Sequence, residues 1–531
     1  MMKKFLKGMD ISSLPEHLDA NEIFYDQDGE EKTAFKLLKD NGVNSIRLRI
    51  WNQPELVPES KGYCNLSDTI KMAKEIKAND MHFVLDFHYS DYWADPGQQR
   101  KPHAWEDLSF DDLVRAIYDF TYDVLNELGS QNLLPDMVQV GNEIRSGMLF
   151  PDGAVPNYEN LAKLINAGIS AVRNISRDFD YHIEVMIHLD QGGRFYYLKE
   201  WFDSVFAAGM EPIDAIGISF YSFWHGTFMD LRDSMKQLIE RYHLPVYVVE
   251  TAHPWRLCDT GHVSKELMDT AGLPAGIEEQ KKSLGLVFQI AETVSEDLDT
   301  GVYYWEPLCY PAHDHGSWDE NMGMLDDHGK ALMGFDVYKD FSPENMPYDN
   351  IDEYMESLYA IDESELPPAG TNLIPNGDFR DGIEGFWLEK DRDDIEIICR
   401  NPEDTSPALS ADSSTGSCSK APQEIYVSCK SNFCFDLFRD IKIEKSGKYQ
   451  LSVDYRGTNT TGVKVSLYMK TISCNGEELF SKDIFPSDVR YVTHSLDAVT
   501  LPVGTLRIGI KLDTPPVFGR IRNLRLVEIT A

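Results

Sequence analysis

The chain has 531 residues, 42% of them hydrophobic and 26% charged, with a formal net charge of −38. A single hydrophobic core stops growing at roughly 250–300 residues, so this length predicts one large domain and at least one smaller one. The carboxylate excess repels phosphate backbones and anionic surfaces, which sets nucleic acid and membrane aside as partners, and no run approaches the ~20 apolar residues that span a bilayer; a neutral sugar meets no such penalty.

The opening Met1-Met2-Lys3-Lys4-Phe5-Leu6 has the basic head of a signal peptide without an apolar stretch behind it. The eight cysteines (Cys64, Cys258, Cys309, Cys399, Cys418, Cys429, Cys434 and Cys474) form no CxxC pair. They read as reduced thiols and not as a disulfide frame. Both features favour the cytoplasm over a secreted chain whose signal was removed, and the chain is expected to be a monomer.

Up to about residue 340, short apolar runs alternate with amphipathic stretches, as in βαβ units around a parallel sheet. Eight strands are expected: Lys7–Ile11, Asn44–Trp51, His82–His88, Met137–Glu143, Ile183–Asp190, Ala215–Tyr221, Val246–Glu250 and Gly301–Glu306. Between them, Leu161, Leu164, Ile165, Gly168, Val172 and Ile175 recur at helical spacing, as do Phe228, Leu231, Met235, Leu238, Ile239 and Tyr242. Ser67 and Ser109 stand where N-caps belong. Eight such units predict a (β/α)₈ TIM barrel over residues 1–341. The rival, an open doubly wound sheet, lacks its Gly-rich phosphate loop after the first strand.

Residues 342–371 are acidic and broken by Pro343, Pro347, Pro367 and Pro368, and read as a linker lying along the barrel. From 372 to 531 the pattern turns to period two, as in Tyr449–Tyr455, Val463–Tyr468 and Leu506–Leu512, which predicts an antiparallel β-sandwich. Its opening, Asn372-Leu373-Ile374-Pro375-Asn376-Gly377-Asp378-Phe379 with Trp387, resembles the start of jelly-roll carbohydrate-binding modules. Arg520–Leu526 resembles their last strand, with Asn523 where many carry an acidic calcium ligand.

Barrel active sites lie at the C-terminal ends of the strands. The polar residues expected there are Asp10, Arg47, Arg49, Asp86, His88, Asn142, Glu143, His188, Asp190, Tyr221, Glu250, Trp305 and Glu306. Glu143 ends the fourth strand and Glu250 the seventh, which should bring two carboxylates to one sugar from opposite sides of the ring. Retaining glycosidases need that pair, about 5–5.5 Å apart. A barrel arginine that merely neutralises a strand-end glutamate would explain one of them better than both.

The motifs narrow this further. Ser45–Trp51, the run from Asp86 through His88, Asp91 and Trp93 to Gln98, Gln139–Glu143, Ile216–Tyr221 with Trp224-His225-Gly226, Val249-Glu250-Thr251 and Tyr304–Pro307 resemble family 53 of the glycoside hydrolases, the arabinogalactan endo-β-1,4-galactanases. The resemblance implies retaining hydrolysis of β-1,4-galactan without a cofactor. It makes Glu143 the acid/base, Glu250 the nucleophile and Tyr221 a hydrogen-bond donor to Glu250. Arg47 or Arg49 would stand beside the nucleophile, and Asn142 and His88 would contact the sugar. Trp93, Trp224, Trp305 and Trp318 are candidate platforms, with Asp91 and His225 nearby. Bacterial relatives often bind calcium after the seventh strand, but Cys258-Asp259-Thr260-Gly261-His262 keeps only a fragment of that loop, so no metal site is expected. Leu308–Gly316, with His313, Asp314 and His315, reads as a solvated loop. The competing readings are a related β-glycosidase acting on mannan, xylan or short galacto-oligosaccharides, and a non-catalytic sugar-binding barrel.

Overall fold

The computed structural model describes residues 3–258, 263–310, 321–359, 371–379, 383–391, 395–400, 424–429, 433–457, 464–472, 478–484, 491–514 and 517–529. Contacts divide the chain into two units, residues 1–358 and 359–531.

The first unit is the TIM barrel. Its strands are β1 (Phe5–Asp10), β2 (Ser45–Ile50), β3 (His82–Phe87), β4 (Met137–Val140), β5 (Glu184–Leu189), β6 (Ala215–Ser219), β7 (Val246–Thr251) and β8 (Thr300–Trp305). They are parallel and close in the order β1-β8-β7-β6-β5-β4-β3-β2. The helices that follow them in turn are α1 (Ala34–Asp40), α2 (Leu66–Ala78), α3 (Phe110–Ser130), α4 (Tyr158–Asp178), α5 (Phe195–Ala207), α6 (Phe228–Tyr242), α7 (Ile277–Thr293) and α8 (Phe335–Asp340). All residues of β2 and β7 are buried, because helices cover one face and the barrel interior the other. Leu6, Val84, Met137, Met186, Ala215, Tyr247, Val249 and Tyr303 fill the interior beneath the strand ends.

Several expectations shift in detail. The N-cap of α2 is Asn65, which accepts the Asp68 N–H at 2.9 Å, while Ser67 sits inside the first turn. Ser109 does cap α3. Strands β4 and β7 stand three places apart around the ring instead of facing each other across it. Strand β4 stops at Val140, not Glu143. Gly141 takes φ +85°, and a Cβ there would lie 2.9 Å from Ile144; the turn it allows lifts Glu143 off the strand. Behind the same strand, Gly168 lets α4 lie close, since a Cβ would sit 2.7 Å from Val140.

Residues 342–371 are not linker throughout. Helix α9 (Ile351–Leu358) belongs to the barrel unit and buries Met355 completely, and its Asp352 pairs with Arg232 of α6. Tyr354 stacks on Tyr348 at 4.5 Å, and Tyr348 bonds Gln289 and Lys282 of α7. The acidic composition masked an apolar face at helical spacing.

The second unit is an antiparallel β-sandwich. One sheet runs β9 (Trp387–Lys390), β12 (Phe433–Ile443), β18 (Gly504–Thr514), β14 (Lys464–Ile472), β15 (Leu479–Ile484). The other runs β10 (Glu396–Arg400), β11 (Glu424–Cys429), β19 (Val517–Glu528), β13 (Gly447–Gly457), β16 (Val492–Ser495), with β17 (Val499–Leu501) also on β13. Alternate residues such as Phe435, Leu437, Leu451, Val453, Leu467, Ile508, Ile510, Leu524 and Leu526 meet in one core. Asn523 donates to Asp454 at 2.7 Å. Among the described residues no helix is long and apolar enough to cross a membrane.

Candidate active site

Arginine 47 organises the floor of the barrel mouth. Its Nε donates to Gln139 Oε1 (3.1 Å), Nη1 to Asp10 (2.7 Å) and Glu250 Oε1 (3.1 Å), and Nη2 to Asp86 (2.8 Å) and Asn142 Oδ1 (2.9 Å). All five N–H donors are used, and Arg47 is 1% exposed. This settles which arginine of β2 faces the candidate nucleophile. Arg49 is buried too, but it pairs with Glu306 and Ser13, and its guanidinium lies 4.1 Å from the Trp93 ring centre. It stands at Trp93, away from Glu250.

Glu250 has a second partner, the Tyr221 hydroxyl, at 3.3 Å from Oε2. Burial raises its pKa, opposed by Arg47. Among the described residues no arginine forms an ion pair with Glu143. Its Oε1 accepts from Ser219 Oγ at 2.6 Å. Burial first, then the charges of Glu250 and Asp190, raise its pKa well above the usual carboxylate range. The two carboxyls are thus set apart: the one beside Arg47 ionises first, and the other keeps its proton longer.

Both line a cleft of about 280 Å³ with His88, Trp93, Asn142, Asp190, Tyr221, Trp224, His225 and Trp305. Trp93 and Trp305 meet at 5.6 Å and 51°. Asn142 Nδ2 gives one hydrogen to the Ala94 carbonyl (2.9 Å), leaving one N–H for a ligand. Burial lowers the His225 pKa to about 4, so its ring is neutral. A larger depression of about 390 Å³, lined by Lys281, Met333, Asp336, Phe341 and Tyr348, holds no comparable pair, and Lys281 and Asp336 neutralise each other there.

Two expected contacts take other roles. His88 lines the cleft, but Nδ1 accepts the Ala94 N–H (3.2 Å) and Nε2 faces Asp86 (3.0 Å). No ring nitrogen is left for a sugar. Asp91 is outside the cleft lining, because its oxygens accept the backbone N–H groups of Gln53 (2.9 Å) and His103 (2.6 Å) and so pin two loops. Trp318, Asp259–His262 and His313–His315 lie outside the described residues. Among the described residues no group of three or more His, Cys, Asp or Glu side chains is placed to hold a metal. Sequence reasoning missed Gln139, the bridge between Arg47 and Asp86, and Ser219. Both are uncharged residues inside apolar strands, where only their occurrence in the quoted motifs drew attention.

The same residues lie within the span of known proteins. Arabinogalactan endo-β-1,4-galactanase A of Emericella nidulans is 33% identical over 323 residues, covering 60% of this chain and 86% of that protein. An arabinogalactan endo-β-1,4-galactanase of Cellvibrio japonicus is 33% identical over 348 residues, covering 63% and 90%. Among solved structures, the Ignisphaera aggregans GH53 catalytic domain superposes with a TM-score of 0.59 at 35% identity, over 63% of this chain and 95% of that one. The profile of glycosyl hydrolase family 53 matches residues 6–338, nearly the whole barrel with both glutamates, and the chain is a glycoside hydrolase belonging to that family.

Proposed function

We propose that this enzyme hydrolyses internal β-1,4-galactosidic bonds of galactan and type I arabinogalactan by double displacement. The observation that carries the reading is the pair of buried carboxyls in one cleft with opposite surroundings, Glu250 on Arg47 and Tyr221, and Glu143 among carboxylates. Glu250 attacks C1 of the sugar while Glu143 protonates the departing oxygen, which gives a covalent galactosyl-enzyme. Glu143, now a carboxylate, takes a proton from water, and the hydroxide displaces Glu250 with overall retention. Asn142 offers its remaining N–H to the sugar 2-hydroxyl, and Trp93, Trp224 and Trp305 offer ring faces to the C–H side of galactose. No step calls for a cofactor. The names of the family relatives support galactan as substrate.

Anomer-resolved NMR of linear galactan digests should show the β-anomer first, and Glu250→Ala should lose on the order of 10⁵-fold in turnover. Initial α-anomer, or cleavage of mannan or xylan with galactan untouched, overturns the reading.

For the sandwich we propose galactan retention. The supporting feature is a cross-strand row in one sheet, Trp387–Phe438–Gly509–Tyr468, in which Trp387 is 66% exposed and Arg507 lies 4.1 Å over Phe438. Trp387→Ala should reduce binding to insoluble galactan about tenfold with soluble turnover unchanged; undiminished binding would remove Trp387 from that role.

A further inference from the structure

Glu143 is held from behind by a residue that does not line the cleft. Ser219, the last residue of β6, is fully buried. Between Ile218 and Ser219 the register with β7 shifts, so that Ser219 stands opposite Glu250, where an unbroken ladder would place Val249. Such irregularities re-aim a side chain. The Ser219 carbonyl takes the Gly192 N–H at 2.9 Å and lies 2.9 Å from His225 Nδ1, so the backbone is pinned. Its Oγ is 2.6 Å from Glu143 Oε1 and 2.8 Å from His188 Nε2. His188 is also fully buried, and burial together with Arg47 keeps its ring neutral.

One hydroxyl hydrogen must serve both neighbours, so the direction of the chain matters. With the imidazole proton on Nε2, His188 donates to Ser219 and Ser219 donates to Glu143. Nδ1 then accepts from Gln139 Nε2 at 3.2 Å. This direction suits Glu143 as a carboxylate, and equally as an acid whose proton sits on Oε2. With the proton on Nδ1, aimed at Asn142 Oδ1 (2.9 Å), Ser219 must give its hydrogen to His188. Glu143 then satisfies Ser219 only by carrying its own proton on Oε1, turned away from the leaving group.

We propose that Ser219, backed by His188, is a positioning residue for general acid catalysis: it reserves Oε1 of Glu143 as an acceptor, so that the transferable proton rides on Oε2. Among the described residues Oε2 makes no hydrogen bond of its own. The inference rests on Glu143 being the acid/base. The other groups facing Glu143 are Glu250 on β7, Asp190 after β5 with its partner Arg145, Asp95 in the loop after β3, and Tyr221 after β6. The carboxylates among them disfavour its ionised form, and the Ser219 bond favours it. Without that bond the Glu143 pKa rises.

The test compares two aryl β-galactobiosides across pH. A 2,4-dinitrophenolate leaves unaided, whereas a 4-methoxyphenol departs only with a proton. Ser219→Ala should lower kcat/KM about 10–100-fold on the methoxyphenyl substrate, leave the dinitrophenyl substrate within about threefold, and move the basic limb to higher pH. Ser219→Cys, with a weak donor of similar size, should fall between, and it carries the comparison if the alanine variant does not fold. Equal losses on both substrates with an unmoved limb overturn the proposal. Glu143→Ala is the control. If it shows no leaving-group split, the acid/base reading fails; a split there but not in Ser219→Ala removes Ser219 alone.

Discussion

Arg47 and Arg49 are two residues apart on one strand, share its inward face and are both buried, yet they serve different parts of the cleft. One layer down, Arg47 spends every donor on acceptors, three of them carboxylates, and so opposes the burial that raises the Glu250 pKa. One layer up, Arg49 pairs with Glu306 and backs the flat face of Trp93. Period-two alternation assigns a side to a strand residue but no depth. In a barrel whose inward residues stack in layers, depth decides whether a cation meets the reacting bond or the wall beside it.

The largest effect that would sharpen this contrast is expected of Arg47→Lys. An ammonium has three donors at one point and cannot replace a planar fork that meets five acceptors. kcat should fall on the order of 10²–10³-fold, the size typical of removing a preorganised donor. The pH profile should move in a stated direction. Arg47 opposes the burial that raises the Glu250 pKa, so with the charge drawn back the pKa climbs. The acid limb of kcat/KM, which in the proposed mechanism reports ionisation of Glu250, then shifts to higher pH. At least two buried acceptors lose a partner at about 1–3 kcal/mol each, and urea denaturation should register that loss. An unmoved acid limb would show that Arg47 does not set the charge on Glu250.

How much of this was legible follows the same logic of side and depth. An apolar run that ends in a polar or aromatic residue marks a barrel strand and its C-terminal end together, which is why Glu143, Glu250, Tyr221 and Trp305, which line one cleft, could be placed there from the chain. His88 and Asp91 sit in the same dense motif, but polar density does not distinguish a side chain that faces a ligand from one that braces a loop. Their hydrogen bonds to Ala94, Asp86, Gln53 and His103 depend on how the loop after β3 folds back. Ser219 was illegible as an individual contact because a register shift placed it, and nothing in Ala215–Ser219 announces one. Helix α9 was legible in principle from Ile351, Met355 and Leu358, but the acidic residues around it dominated the composition.

A smaller effect is expected of Arg49→Lys, and it would break the contrast if it resembled that of Arg47→Lys. Lysine keeps a positive charge for Glu306, so the buried pair survives, but the guanidinium over the Trp93 ring and the donor to Ser13 are lost. A cation–π contact of this kind is worth about 1–2 kcal/mol when desolvated. Its loss frees Trp93 to leave the face it shares with Trp305, and that weakens sugar binding without touching either carboxyl. KM for galactan should therefore rise about tenfold, with kcat nearly unchanged and both pH limbs in place. A shifted acid limb in this variant would mean that Arg49 also acts on the Glu250 charge, and that the two layers form one electrostatic unit.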